Sequence, residues 1–550
     1  MSFIQALTLT PLRHRILAFM AGLILPLSYA PFHILPLFYV SFICLFYLAW
    51  GARDNRRHLL WLGWLFGCGQ FLVGFYWLGE SFIVLGGGYL WLMPLALAGL
   101  VAGLALFPAL ALFIWGVLRP YVLRFNKGGQ ASKTDSHLDG HRFYDMLLLA
   151  LIWSLGEYAR ANVLTGLPWN LAGMVWAGFL PLAQMASVLG LFGMGLLCVI
   201  SAACLSVPDK KIWAAGLSLP LMALGLGLVI LQEETHPLET APKILVIQPN
   251  IKQADKWLPE KRAVHIETIF TLIKQGLAEH KDSDIIVLPE TAIPFLIDED
   301  GAFAHLLRRH LPQDKYLLLG AVRRSLSPKN PDLKNPDSKN PHKDYDYYNS
   351  AMLWSSNGTL LAQIDKYHLV PFGEYLPAQG FLEAIGLRQL TQLRGGFATR
   401  NSASIEEITL KDIPPFMPLI CFEATFPYLA AANGGAKWLV NLTNDAWFGT
   451  STGPAQHLAH TKLRAIEQGL PLIRSANTGI SAVFDAYGRR LKMLPLNQKG
   501  YFSVLLPNSR SFTIYSYSSD ILYLIIIFMV SIFIARKGLA AYAKKILRKV

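Results

Sequence analysis

The chain has 550 residues, of which 53% are hydrophobic, 12% aromatic and 15% charged, and its formal net charge is +13. That balance, with a mean hydropathy of +0.37, is too apolar for an ordinary soluble protein and points to an integral membrane protein. The length argues for several domains.

Hydrophobicity is distributed unevenly along the chain. Residues 1–235 read as a bundle of seven apolar spans, at about 14–30, 33–51, 59–79, 89–118, 143–162, 183–207 and 212–231. An eighth run, 518–535, precedes a basic tail that completes a C-terminal segment 518–550. Most of these runs reach the ~20 residues that a helix needs to cross the hydrocarbon layer. The first lacks a small-residue cleavage site and is read as a retained span, not a signal peptide. Tyr515, Tyr517 and Tyr523 suit an interfacial anchor for the last.

Charge sets the expected orientation. Arg13 and Arg15, the linkers 52–58, 119–142 and 208–211, and the tail after Ala535 together hold 18 Lys/Arg against Asp54, Asp135, Asp139 and Asp209. The alternate linkers "SYAPFHI", "GESFIVLGGG" and "ANVLTGLPWN" hold no Lys/Arg. The positive-inside rule then places both termini in the cytoplasm and the large hydrophilic segment between spans seven and eight on the opposite side, the periplasm of a bacterium. The basic balance is thus a topology signal, which argues against nucleic acid as a partner and leaves attraction to anionic lipid. The charged pair Glu157 and Arg160, near a span end and three residues apart, is expected to be a structural pair or a headgroup contact, and Glu80 similarly.

Residues 241–510 read as an α/β domain. Strands are expected at "KILVIQPN", "DIIVLPE" and "YLLLGAV", with helices over 260–279 and 301–310 between them. The stretch 327–344 repeats Lys-Asn-Pro three times and reads as a solvated loop. "YYNSAMLWS" and "LLAQIDKYHL" form a hairpin around "SNGT". Strands "FMPLICFE" and "AKWLVNLTND", a helix over 454–469, and strands "LIRSAN", "ISAVFDA" and "YFSVLLP" follow. Alternating strands and helices imply sheets covered by helices.

Of the five cysteines, Cys44, Cys68, Cys198 and Cys204 fall in apolar spans, and Cys421 alone lies in the hydrophilic domain. Cys421 therefore has no intradomain disulfide partner, and no metal-ligand spacing surrounds it. His457 and His460 sit three apart on a helix, but no carboxylate or cysteine completes a zinc set around them. Three polar residues end strands in comparable settings: Glu290 in "VLPETAIP", Lys366 in "DKYHLVPFGEYLP" and Cys421 in "LICFEATFP". A thiol attacks as thiolate, a carboxylate can take its proton, and a lysine can stabilise thiolate and oxyanion. Each residue alone also has a plain reading, as a turn cap, a surface lysine or a core thiol.

The stretches "LPETAIP", "KYHLVPFGEYLP" and "CFEATFP" resemble the three active-site motifs of the nitrilase (carbon–nitrogen hydrolase) superfamily. Combined with seven spans before the domain and one after it, and with "HLVPFGEYLP" and "TNDAWFG", the chain is similar to the apolipoprotein N-acyltransferase family over nearly its whole length. The resemblance implies a polytopic α-helical membrane bundle of about eight spans plus an α-β-β-α sandwich, in the bacterial inner membrane. It implies that Cys421 accepts a fatty acyl chain from a phospholipid, typically phosphatidylethanolamine, and that the α-amine of a diacylglyceryl-cysteine on an apolipoprotein takes it over. Glu290 would be the general base and Lys366 the oxyanion stabiliser, with Glu374 and Glu423 in support. Trp257 and Trp447 match tryptophans near the family's site, and Phe422 replaces the usual tyrosine after the nucleophile, with a ring that still suits a substrate pocket. Neither cofactor nor metal is implied, and a monomer is expected. The apolar stretch 375–387 reads as a mobile lid or as an ordinary packed helix. Two other readings remain: a membrane-tethered nitrilase-type amidase that hydrolyses a C–N bond, and a transporter or scaffold in which Cys421 is dispensable.

Overall fold

The computed structural model describes residues 10–123, 135–235, 241–297, 301–326, 345–384, 396–400, 407–431 and 435–547. The Lys-Asn-Pro loop 327–344 and the end of the stretch 375–387 lie outside these. The chain forms two compact units, one of Met1–Gly79, Trp91–Glu233 and Tyr517–Val550, the other of Glu80–Leu90 and Glu234–Ser516.

The first unit is helical. Helices Pro11–Ile24, Leu35–Gly51, Arg56–Phe75, Met93–Leu104, Leu106–Leu123, Asp135–Asn162, Ala186–Leu205, Lys210–Ile230 and Ile521–Leu547 occupy the apolar runs of the sequence. Among the described residues four helical stretches are long and apolar enough to cross a membrane: Arg56–Val84, Leu90–Tyr121, Ala186–Leu205 and Lys210–Ile230. Leu35–Gly51 and Ile521–Arg536 are apolar but shorter. Small residues let the helices approach closely, as between lipid-embedded helices in general. A Cβ on Gly22 falls 2.0 Å from the Phe66 carbonyl oxygen, and one on Gly69 falls 2.3 Å from that of Phe19. Glu157 and Arg160 are both tied to main chain in the loop that follows their helix. The Ala172 N–H donates to Glu157, and Arg160 donates to the carbonyls of Leu167 and Trp169.

The second unit holds two sheets. The strands are β1 (Lys243–Gln248), β2 (Ile285–Val287), β3 (Tyr316–Leu326), β4 (Tyr345–Ser355), β5 (Leu360–Asp365), β6 (Phe416–Ile420), β7 (Trp438–Thr443), β8 (Leu472–Ala476), β9 (Ser481–Phe484), β10 (Arg490–Leu494) and β11 (Gly500–Leu505). One sheet has the order β11-β1-β2-β3-β4-β5, the other β10-β9-β8-β7-β6. β1, β2 and β3 are parallel, as are β6, β7 and β8. β10, with the pattern RLKML, is a strand that the sequence pattern did not suggest.

The two faces of β1 show why its run is apolar throughout. Ile244 and Val246 pack into the core between the sheets, with Phe416, Val440 and Ile473 of the other sheet. Leu245 and Ile247 face the opposite way, into a core closed by helices Arg262–Glu279 and Ala302–His310. A strand buried on both faces reads as a continuous apolar run, not an alternation. Helix Gly453–Gln468 packs against the five-stranded sheet through β8 and the turn after β6. The layers are therefore helix, sheet, sheet, helix.

Candidate active site

Glu290 stands three residues past the end of β2, in a turn held tightly to β3. Gly320 N–H donates to the Pro289 carbonyl and Ala292 N–H to that of Gly320, at 3.0 and 2.8 Å. A Cβ on Gly320 would lie 2.5 Å from the Glu290 Cα, so only glycine permits this approach. The Glu290 side chain is 6% exposed. Asn349, on β4, donates to its Oε1 at 2.7 Å, and Lys366 Nζ lies 3.5 Å from the same oxygen.

Lys366 follows the last residue of β5 and is pinned by its own N–H to the Asn349 carbonyl at 2.8 Å. The residue is 1% exposed, and its Nζ donates to Glu374 Oε1 at 2.9 Å. Asn349 also donates to that oxygen, at 3.1 Å, and the Val370 N–H donates to Glu374 Oε2 at 2.8 Å. Burial alone would strip the proton from Lys366. The carboxylates of Glu374 and Glu290 more than offset this and hold the ammonium above the ordinary lysine range. The result is a buried cation between two carboxylates, with Asn349 fixing both acids.

Cys421 begins a 3-10 turn, Cys421–Thr425, directly after β6. Its φ is +51°, a left-handed conformation that a non-glycine residue adopts at a cost of about 1–3 kcal/mol unless its surroundings enforce it. Glu423 ties the turn down: the Ile420 N–H donates to one carboxylate oxygen at 2.7 Å, and those of Tyr367 and His368 donate to the other at 2.8 and 3.2 Å. One acid thus binds the turn after β6 to the segment after β5. Burial lifts the Glu423 pKa above the usual carboxylate value, against these donors. Burial, then the charge of Glu290, raises the Cys421 thiol well above its ordinary range, while Lys366 pulls the other way. A thiol so placed stays protonated until a base takes its proton.

The structure therefore brings Glu290, Lys366, Glu374, Cys421 and Glu423 into one electrostatically connected cluster at the C-terminal ends of β2, β5 and β6. Phe422 is buried, with its ring edge-on to Phe426 at 5.0 Å. Trp257 is 43% exposed, at the end of the short helix Gln253–Lys256. Trp447 lies in the turn Asp445–Phe448, where its carbonyl accepts from Ser81 Oγ at 3.0 Å, and Glu80 stands against Gly449. Helix Gln379–Ala384, in the stretch expected to be a lid or a packed helix, has no buried residue, and Phe381 on it is 68% exposed.

Sequence reasoning did not single out Asn349, Lys256 or the residues beneath Cys421. Lys256 is buried and donates to Thr291 Oγ1 at 2.9 Å and to the Glu290 carbonyl at 3.3 Å; burial lowers its pKa to about 8. His457, considered from sequence only as a metal ligand, has its Nε2 3.1 Å from the Cys421 carbonyl oxygen and its Nδ1 2.9 Å from Asp445 Oδ1. No group of three His, Cys, Asp or Glu residues able to hold a metal ion occurs among the described residues. The signal available in sequence was only that Asp445 and Arg474 lie in or next to strongly apolar strands, where a charge needs a partner.

Comparison with known proteins follows the same division of the chain. Residues 21–204 match the family model described as the apolipoprotein N-acyltransferase N-terminal domain, and residues 243–511 match that of carbon-nitrogen hydrolase. An apolipoprotein N-acyltransferase of Rhodopseudomonas palustris is 34% identical over 527 residues, covering 92% of this chain and 91% of the relative. One of Brucella melitensis is 35% identical over 524 residues, covering 90% of each. Among solved structures, Saccharomyces cerevisiae Nit3, a member of branch 10 of the nitrilase superfamily, is 17% identical. That match covers 52% of this chain and 97% of Nit3, with a TM-score of 0.35.

Proposed function

Because this chain belongs to the apolipoprotein N-acyltransferases, we propose that its lipoprotein N-acylation runs in two steps through a thioester on Cys421. In the first step Glu290 takes the thiol proton and the thiolate attacks an ester carbonyl of a phospholipid, phosphatidylethanolamine being the expected donor. Lys366 stabilises the oxyanion. The C–O bond then breaks, and the lysophospholipid leaves with the proton returned by Glu290. In the second step the α-amine of a diacylglyceryl-cysteine attacks the thioester. Glu290 takes the amine proton, the C–S bond breaks as the amide forms, and the proton passes from Glu290 to the released thiolate, regenerating the thiol.

The observation that carries this reading is the buried Glu290–Lys366–Glu374 cluster beside a thiol whose pKa is raised. A carboxylate is at hand to act as base, and a permanently charged ammonium is held without a long, mobile side chain to order. Glu374 keeps Lys366 charged and placed. Glu423 holds the nucleophile's turn. Trp257, Trp447 and Phe422 would line the approach for lipid substrates.

The remaining assignments follow from the charge pattern. Residues 1–235 form a seven-span bundle in the bacterial inner membrane, 241–510 the periplasmic catalytic domain, and 518–550 the last span and its cytoplasmic tail. Extracting an acyl chain into water costs ~0.8 kcal/mol per CH₂, so an enzyme with two lipid substrates gains from being membrane-embedded. The unburied helix Gln379–Ala384 supports the reading of 375–387 as a lid that meets lipid. A spin label at Phe381 should lose mobility when phospholipid is added; unchanged mobility argues for an ordinary surface helix.

The test of the function uses full-length enzyme in detergent with phosphatidylethanolamine and a synthetic diacylglyceryl-cysteinyl peptide. The peptide should gain one amide-linked acyl chain with wild type and none with Cys421→Ala. Release of free fatty acid without peptide acylation contradicts the transferase reading.

A further inference from the structure

Cys421 has an unfavourable main-chain conformation, and its carbonyl faces buried side-chain nitrogens. His457 Nε2 lies 3.1 Å from this carbonyl oxygen, and Asn441 Nδ2 is 3.4 Å away. A carbonyl only accepts, so Nε2 carries a hydrogen. The other ring nitrogen, Nδ1, is 2.9 Å from Asp445 Oδ1 and 3.2 Å from an Arg474 Nη2. Arg474 also pairs with the second Asp445 oxygen and with Asn441, and Thr443 donates to Asp445 Oδ1 at 2.9 Å. Every side chain in this set is buried, and His457, Asp445, Arg474 and Asn441 are 0% exposed.

Nδ1 has a partner within reach in either protonation state. With Nδ1 protonated, His457 donates to Asp445. With Nδ1 bare, the guanidinium of Arg474 is placed to donate to it. Burial and Arg474 draw the ring's pKa below the ordinary imidazole value, and Asp445 and the Cys421 carbonyl offset only part of this. In both states Nε2–H remains aimed at the nucleophile's carbonyl. The second carboxylate oxygen and the guanidinium leave the imidazole one orientation.

We propose that His457, oriented by Asp445 and Arg474, is a positioning residue that holds the main-chain carbonyl of Cys421 and with it the left-handed turn that aims the thiol. The proposal rests on the reading of Cys421 as nucleophile. It assigns His457 no proton transfer to substrate and no contact with it.

Two amide substitutions separate positioning from packing. The Gln side chain carries its amide nitrogen at about the place of Nε2, whereas the Asn amide stops at about the place of Nδ1. His457→Gln should therefore retain donation to the carbonyl, and His457→Asn should lose it, although both are polar and smaller than histidine. Single-turnover acylation of full-length enzyme by phosphatidylethanolamine should fall by ~10²-fold in His457→Asn, the loss expected from misplacing a reacting group. His457→Gln should recover to within about tenfold of wild type, and the donor concentration for half-maximal rate should change in neither. Equal losses in both variants, or wild-type rates in both, overturn the proposal. Cys421 alkylation by iodoacetamide supplies a readout that does not depend on the acyl donor. It should follow the same order, wild type and Gln above Asn, even if phosphatidylethanolamine is not the donor. Alkylation rates that are the same in all three proteins overturn the positioning role while leaving the function reading in place.

Discussion

The two sheets of the second unit equip the site differently. The six-stranded sheet presents charge directly: Glu290 after β2, Asn349 on β4 and Lys366 after β5, with Glu374 on the following loop. The five-stranded sheet presents one thiol after β6 and, through Asp445, His457 and Arg474, supports the main chain beneath it. Both networks are buried and both hold ionised groups; Glu290 and Lys366 of the first act most strongly on the thiol, and Asp445 of the second acts on it more weakly. Damage to the first should therefore act on the chemical step through charge, and damage to the second through geometry. Burying ions is costly in either place, and it is tolerated because the charged groups face opposite charges at short range.

The largest effects are expected in the charge-bearing sheet. Glu290→Gln and Lys366→Met should each reduce single-turnover acylation by ~10²–10⁴-fold, the range for losing a positioned acid–base or electrostatic group. Lys366→Arg should not recover the loss, because a planar guanidinium cannot replace a buried point charge. Recovery by arginine would show that the cation acts from a distance, and the contrast between the sheets would weaken.

Glu374→Ala should act on stability as well as rate. It removes one partner of the buried pair with Lys366 and leaves the Val370 N–H unbonded, for a cost of about 3–5 kcal/mol measured by chemical denaturation. Gly320→Ala comes next. Its new methyl meets Glu290 main chain, so the turn must shift, at about 1–3 kcal/mol and with slower acylation but intact Cys421 alkylation. Alkylation slowed as much as acylation would mean that the two sheets are not mechanically separable.

The smallest effect concerns pH. Lys256 has a folded-state pKa of about 8, below the ordinary lysine value. Between pH 8 and 10 the unfolded chain binds more protons at this group than the folded one, so its contribution to stability rises with pH through that window and is lost as pH falls through 8. The stability difference between wild type and Lys256→Met should therefore move in favour of wild type from pH 8 to 10. A difference flat with pH would place Lys256 in ordinary solvent.

Much of this architecture was legible in sequence because it depends on local pattern. Apolar runs marked the helices and the doubly buried strands such as β1, and Glu290, Lys366 and Cys421 each stood just past a strand in a recognisable local sequence. β10 was not legible, since RLKML has an exposed, charged surface and little strand preference. Among the described residues four helical stretches meet the length and hydropathy of a membrane crossing where eight spans were expected, while Leu35–Gly51 and Ile521–Arg536 are apolar but shorter. Asn349 was hidden in the middle of a strand. Asp445, His457 and Arg474 were hidden because their meeting depends on the parallel pairing of β7 with β8 and the helix that connects them. Histidine spacing on that helix raised only a zinc site without completing ligands, and the partner of His457 lies twelve residues earlier, in a turn.

The most direct test of the account is the intact mass of full-length enzyme after incubation with phosphatidylethanolamine alone, without acceptor. The account predicts a gain of one fatty acyl chain, released by hydroxylamine and absent from Cys421→Ala. A folded, peptide-acylating enzyme that gains no mass, or that carries the chain on a residue other than Cys421, would contradict it.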